Sequence, residues 1–208
     1  MPTVAVVGSG IVGASVAYRL AKAGANVTLI DRGQPGGGTT ARSFAWLNAN
    51  AKTPRAYFDL NLEGMRAHRA LPDEPDLAGI GDCIHWTGNL IWAGPADERD
   101  LRRRVERLQY WGYAAEWTDA ARVQDEIAPH LAFSDPTTPV AHFTDEGWAD
   151  APGLVTCLVG AASRAGTTVR AGVEVVSIEA SGGRVAGVTL SDGERIAADL
   201  VVNAAGPH

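Results

Sequence analysis

Val4-Ala5-Val6-Val7-Gly8-Ser9-Gly10-Ile11-Val12-Gly13 stands almost at the N-terminus and changes character halfway along. With Thr3 before it, the first half is a short β-branched apolar run, the pattern of a parallel strand covered on both faces. The second half is a GxGxxG spacing. Beyond it Ile11, Ala14, Ala17, Tyr18 and Ala21 recur at helical intervals, and Gly24 suits the position just past a helix end. Val27 to Ile30 is a second apolar strand, closed by Asp31. Strand, glycine turn, helix and strand in this order make a βαβ unit. Gly8 permits the tight turn, Gly10 lets backbone approach a pyrophosphate, and Gly13 lets the helix lie close to the strand. The helix then offers unpaired N–H groups, those of Ile11 and Val12 among them, and its positive dipole end to phosphates. Asp31 lies eighteen residues past Gly13, where a carboxylate can accept from both hydroxyls of an adenosine ribose and repels a 2′-phosphate.

Farther along, Gly33 to Arg42 is an aperiodic loop. Thr53 and Pro54 are expected to open a helix as N-cap and first residue, with an apolar stripe through Tyr57, Leu60, Met65 and Leu71 that ends at Pro72 to Pro75. Residues 79 to 93 read as strands broken at Gly88. Pro95 opens a helix with Leu101, Val105 and Leu108 on one face, and a short helix follows from Asp119 to Ile127. Pro152 begins another, carrying Leu154, Leu158 and Ala162 inward. The strands Val173 to Ala180 and Arg184 to Leu190 and a third after Ser191-Asp192-Gly193 are joined by hairpin turns, and Leu200 to Ala204 reads as a last strand buried on both faces. The expected architecture is α/β: a discontinuous Rossmann-like domain from residues 1 to 52 and 150 to 208, with an inserted α+β lobe at 53 to 149.

Composition narrows the function. A net charge of -6 disfavours a nucleic-acid partner, and 46% hydrophobic with 20% charged residues is ordinary for a globular domain. Neither a signal peptide nor an apolar run long enough to span a bilayer is read. Cys83 and Cys157 read as two buried, reduced thiols, which fits a cytoplasmic protein. No histidine or cysteine spacing suits a metal or a triad: His85, His130 and His142 are scattered, and His68 sits beside an apolar helix face.

The fingerprint alone leaves NAD and FAD open. The loop Gly36-Gly37-Gly38-Thr39-Thr40-Ala41-Arg42-Ser43 adds bare amides, hydroxyls and a guanidinium, all donors to phosphate oxygens, and so favours an extended pyrophosphate and ribityl chain. Together with this loop, four stretches carry a resemblance: VAVVGSGIVGASVAYRLAKAGANVTLID, GGTTARSFAWLNA, EGWADAPGLVTCLVGAASRAG and VRAGVEVVSIEASGGRVAGVTLSDGERIAADLVVNAAG. In order and content they resemble the D-amino-acid oxidase-like superfamily of FAD-dependent oxidoreductases, which includes glycine, sarcosine and D-amino-acid oxidising enzymes. The resemblance implies FAD as cofactor. It implies that Asp31, with Arg32 beside it, holds the adenosine ribose and that Val175 offers its backbone to adenine. It implies that Thr39, Thr40, Arg42 and Ser43 line the pyrophosphate and ribityl chain, and that Ala204, Ala205 and Gly206 pass close to the cofactor. Covalently flavinylated relatives carry histidine where this chain has Arg42, so that linkage is not expected here.

The implied reaction is oxidation of a carbon–nitrogen bond in a small amino acid or secondary amine, with hydride passing to flavin N5. No acid or base is nominated. Trp46 and Asn48, after the phosphate loop, read equally as flavin-facing or as core. The tryptophans at 86, 92, 111, 117 and 148 read as packing in the inserted lobe or as a wall for a small amine, and the arginine-rich face from Arg99 to Arg107 as solvated. The resemblance also implies a long continuation past His208, so the chain alone is expected to expose apolar surface, bind FAD weakly and turn over no amine. Two other readings stay open: an NAD-dependent dehydrogenase, and a non-catalytic fragment or subunit completed by a second chain.

Overall fold

The structure is a computed structural model that describes residues 1–207. It forms two compact units. One comprises Met1–Ala45, Ala70–Cys83 and Ala149–His208, the other Trp46–Arg69 and Ile84–Trp148.

The first unit is built on a four-stranded parallel sheet in the order Leu200–Asn203, Thr3–Val7, Asn26–Asp31, Thr168–Ala171. Strand alternation sorts its side chains onto two faces. Val4, Val6, Val27 and Leu29 pack with Ala17 and Ala21 of the helix Ile11–Lys22, and Val159 of the helix Ala151–Arg164 joins them. On the opposite face Ala5 and Ile30 meet Val188 and Leu190. These two belong to a three-stranded antiparallel sheet, Val175–Ser181, Arg184–Leu190 and Arg195–Ala197. Apolar cover on both faces explains why the first two parallel strands read as unbroken apolar runs. Asp150 caps the helix Ala151–Arg164, its side chain accepting from the Gly153 amide at 3.2 Å.

Two strands depart from expectation. Leu200–Asn203 is an edge strand paired only with Thr3–Val7 among the described residues, and Leu200 is 55% exposed rather than buried. An apolar strand with one neighbour keeps one side open, and sequence pattern does not reveal how many neighbours a strand has. The opposite edge, Thr168–Ala171, was not anticipated, because four residues ending at Gly172 are too short for a periodic signal. The stretch Ala70–Cys83 also lies in the first unit. It is tied there by Glu74 and Asp76, which meet Arg19, Lys22 and the Tyr18 hydroxyl of the fingerprint helix.

In the second unit Pro139–Phe143 is the centre of an antiparallel sheet flanked by Asn89–Trp92 and Glu116–Asp119. A second small sheet has the order Trp46–Leu47, Gly147–Ala149, Ile84–His85. The core joins Phe58 and Met65 of the helix Arg55–Ala70 to Leu101, Val105 and Leu108 of the helix Glu98–Tyr110, with Tyr113 and Phe143.

The expected stripe on the helix Arg55–Ala70 needs correction. Tyr57 and Leu60 are 47% and 69% exposed. Met65 is buried as expected, but Phe58 and Leu62 face inward with it, an i, i+4, i+7 set. Phe58 wins the inward place because its ring has two aromatic partners, Trp111 and Tyr113, with centroids 5.0 and 5.5 Å away. The expected cap is also shifted. The Thr53–Pro54 bond is cis, and the Pro54 carbonyl accepts from the amides of Tyr57 and Phe58, so Pro54 occupies the cap place expected for Thr53.

Candidate dinucleotide-binding site

The glycine turn is shaped by its neighbours as much as by any ligand. Gly8 has φ +96°, and a Cβ there would come within 2.3 Å of the Ala204 carbonyl oxygen. The segment after the last strand therefore crosses directly against the turn, held by the Ala204 amide donating to the Val7 carbonyl at 2.7 Å. A Cβ on Gly13 would lie 1.8 Å from the Gly8 carbonyl oxygen, so the helix approaches the strand as the spacing requires. Gly10 is the helix N-cap and supplies no side chain to it. That role passes partly to Thr40, whose hydroxyl oxygen accepts from the Ile11 amide at 3.1 Å. A Cβ on Gly10 would lie 3.1 Å from the same oxygen. The second loop is thus stitched to the first, and the Gly36 amide adds a bond to the Ser9 carbonyl at 3.0 Å.

Asp31 ends its strand beside this turn. Its Oδ2 accepts from the Ser9 amide at 2.6 Å and the Ser9 hydroxyl at 2.8 Å, and its Oδ1 accepts from the Gly33 amide at 2.8 Å. An ionised carboxylate has about four acceptor sites, so about one is left for a ligand hydroxyl. Ser9, the unremarked residue of the fingerprint, is 1% exposed and orients the acid.

Two cavities meet here and share Gly8, Asp31, Arg32 and Ala205. The larger, about 340 Å³, is lined by Gly8, Gly10, Ile11 and Val12, by Gly38, Thr39, Thr40 and Ser43, and by Ala204 to Pro207. The smaller, about 170 Å³, runs from Asp31 and Arg32 to Val173, Glu174 and Val175. The fold therefore brings together every residue assigned to the cofactor except two. Gly13 is buried in the helix–strand contact. Arg42 is exposed at the end of the turn Thr39–Arg42 and lines neither cavity. Sequence reasoning passed over Ser9, Val173, Glu174 and Pro207. The last three adjoin residues that it did assign, so extending each assignment by a residue or two would have found them.

The second unit holds a buried carboxylate that no motif announced. Glu146 is 0% exposed. Its Oε1 accepts from the Tyr113 hydroxyl at 2.7 Å and its Oε2 from the Trp46 indole N–H at 3.0 Å. Tyr113 in turn accepts from the Ala49 amide at 3.0 Å. Burial pushes the Glu146 carboxyl up to about 7 against these stabilising hydrogen bonds, and burial with the nearby Glu146 charge raises the Tyr113 phenol as well. Trp46 is thus tied through its ring nitrogen, while Asn48 is 8% exposed and donates to the Trp46 carbonyl. Among the described residues no group of His, Cys, Asp or Glu is arranged to hold a metal ion, and no helix is long and apolar enough to cross a membrane.

Residues 3–208 match the family described as FAD dependent oxidoreductase. The chain belongs to that family. Membership resolves the choice that the fingerprint left open, and the family's cofactor is FAD rather than NAD. Among relatives, the chain is 28% identical over 220 residues to the anaerobic glycerol-3-phosphate dehydrogenase subunit A1 of Haloferax volcanii, covering 99% of this chain and 36% of that one. It superposes on the glycine oxidase of Geobacillus kaustophilus with a TM-score of 0.85 at 25% identity, covering 99% of this chain and 56% of that one. For the iminodiacetate oxidase of Chelativorans sp. BNC1 the TM-score is 0.79 at 26% identity, with 97% and 55% covered. The chain therefore spans between about a third and just over half of these relatives' length.

Proposed function

We propose that this chain is the cofactor-binding portion of an FAD-dependent oxidoreductase that oxidises a carbon–nitrogen bond of a small amino acid or secondary amine. The observation that carries the reading is the pair of adjoining cavities. One is floored by the bare glycine turn and the helix N-terminus, only partly capped by Thr40, and the other is walled by Asp31 and Val175. Such a groove fits a long, doubly phosphorylated ligand with an adenosine end. A Cβ at Gly10 would crowd Thr40 and intrude on the phosphate cradle.

In this reading the helix N-terminus and the hydroxyls of Thr39, Thr40 and Ser43 hold the pyrophosphate and ribityl chain. Asp31 takes one ribose hydroxyl with its remaining acceptor site, and the Val175 backbone meets the adenine. Gly8, Ala204, Ala205 and Gly206 give close backbone approach. Arg42 reaches the phosphates only by turning inward from its exposed position. Bound flavin supplies the two-electron acceptor, so the protein's work is orientation and the exclusion of water. No side chain is assigned as acid or base. Residues 1 to 52 and 150 to 208 act as the cofactor domain, joined by Ala70–Cys83, and the rest of 53 to 149 contributes to the substrate lobe. Free thiols at Cys83 and Cys157 favour a reducing, cytoplasmic setting.

The substrate class rests on the resemblance to the glycine and iminodiacetate oxidases. Anaerobic mixing of the whole protein with glycine, N-methyl amino acids, iminodiacetate and glycerol 3-phosphate tests it. Bleaching of the flavin band by an amine supports the proposal. Bleaching by the polyol phosphate alone contradicts it.

A further inference from the structure

Cys83 and Cys157 are far apart in the sequence, yet the first unit brings their thiols together. Cys83 closes the turn Ile80–Cys83, and Cys157 stands on the helix Ala151–Arg164. The turn is pinned to the start of that helix, where the Asp150 amide donates to the Cys83 carbonyl at 2.8 Å. The Cys83 sulfur lies over the bare Cα of Gly153, where a Cβ would come within 2.7 Å of it. Cys157 is one turn farther along the same helix face. Helix side chains lean toward the N-terminus, so its thiol is carried back over Gly153 toward the Cys83 sulfur. The two groups interact directly, both are free, and both are half-buried rather than sealed.

We propose that Cys83 and Cys157 are a reversible dithiol–disulfide couple, a modification site at which a hydroperoxide staples the Ile80–Cys83 turn to the helix Ala151–Arg164. One thiolate attacks the peroxide; an S–O bond forms, the O–O bond breaks and water leaves after protonation. The second thiolate attacks that sulfur; the S–S bond forms, the S–O bond breaks and a second water leaves. Two thiols lose two electrons and two protons, and one hydrogen peroxide becomes two waters.

Topology gives the bond its leverage. Cys83 is the last residue before the chain leaves the first unit at Ile84, and Cys157 follows soon after the return at Ala149. The disulfide closes the whole intervening segment into a covalent loop. Burial, then the neighbouring Cys157, Asp150 and Asp82, push the Cys83 thiol up to about 11. Thiolate at Cys83 is therefore scarce, and its reaction with peroxide is slow.

The test is oxidation of the chain by hydrogen peroxide, followed by blocking of free thiols under denaturing conditions and peptide mapping. The expected product is a monomer lighter by two hydrogens, with the Cys83 and Cys157 peptides linked and both thiols restored by dithiothreitol. Its thermal midpoint should rise by about 5–15 °C, as for closing a loop of this order of length. Cys83→Ser and Cys157→Ser should show no rise, and their remaining thiol should pass on to the sulfinic acid. The wild-type map decides the matter even if a variant fails to fold. Separate sulfinic acids on the two cysteines, linkage only between chains, or a disulfide without any change in thermal midpoint would overturn the proposal.

Discussion

Asp31 and Glu146 are both carboxylates, and their surroundings divide them. Asp31 is half-exposed and accepts from two amides and a hydroxyl. Glu146 is sealed in the second unit with a phenol and an indole N–H as donors, and burial wins over them, lifting its carboxyl from the ordinary 4.5 to about 7. Linkage fixes the sign. A carboxyl whose folded value lies above its unfolded value contributes stability that is fully present below the unfolded value and is lost as pH rises through the folded one. Stability should therefore decline between pH 4.5 and about 7, by about 3 kcal/mol at most at 1.36 kcal/mol per pH unit. Glu146→Gln should flatten that decline, because the amide cannot ionise. Urea midpoints measured across this pH range check it, and an equally steep decline in the variant would assign the titration to another group.

At the scale of elements, the strongest signals were the ones with a periodic or stereochemical cause. The βαβ unit was legible because Thr3–Val7 and Asn26–Asp31 are buried on both faces, and because Gly8 and Gly13 stand where any Cβ would strike backbone. The order of the candidate site residues followed from the same spacing. What escaped was tertiary choice. Nothing local distinguishes a stripe that reaches Met65 through Tyr57 and Leu60 from one that reaches it through Phe58 and Leu62; aromatic partners far away in sequence decided it. Short strands such as Thr168–Ala171 escaped because pairing, not pattern, makes them. Glu146 gave no warning, since an acid before a glycine turn is ordinarily solvated. The stripe carries its own test. Phe58→Ala should cost about 3–5 kcal/mol of unfolding free energy, whereas Leu60→Ala should stay within about 0.5 kcal/mol. Chemical denaturation of the two variants measures this, and a larger loss at Leu60 would restore the stripe first expected.

For the molecule as a whole, the fold and the family agree. The chain spans 56% of the glycine oxidase of Geobacillus kaustophilus and 36% of the Haloferax volcanii dehydrogenase subunit. What it does contain is both ends of the groove proposed for the dinucleotide. The fingerprint turn and phosphate loop form one end, and Asp31 with Val173 to Val175 forms the other, all within one compact unit. We propose that this unit holds FAD chiefly by its adenosine diphosphate half. It is tested most directly by titrating the chain with FAD under flavin-fluorescence detection, with ADP and FMN as competitors, on wild type and Asp31→Ala. Saturable FAD binding should be displaced by ADP and not by FMN, and be weakened in the variant by about 1–3 kcal/mol, the cost of losing a hydrogen-bond partner. Displacement by FMN but not by ADP, or an unchanged dissociation constant for Asp31→Ala, would contradict it.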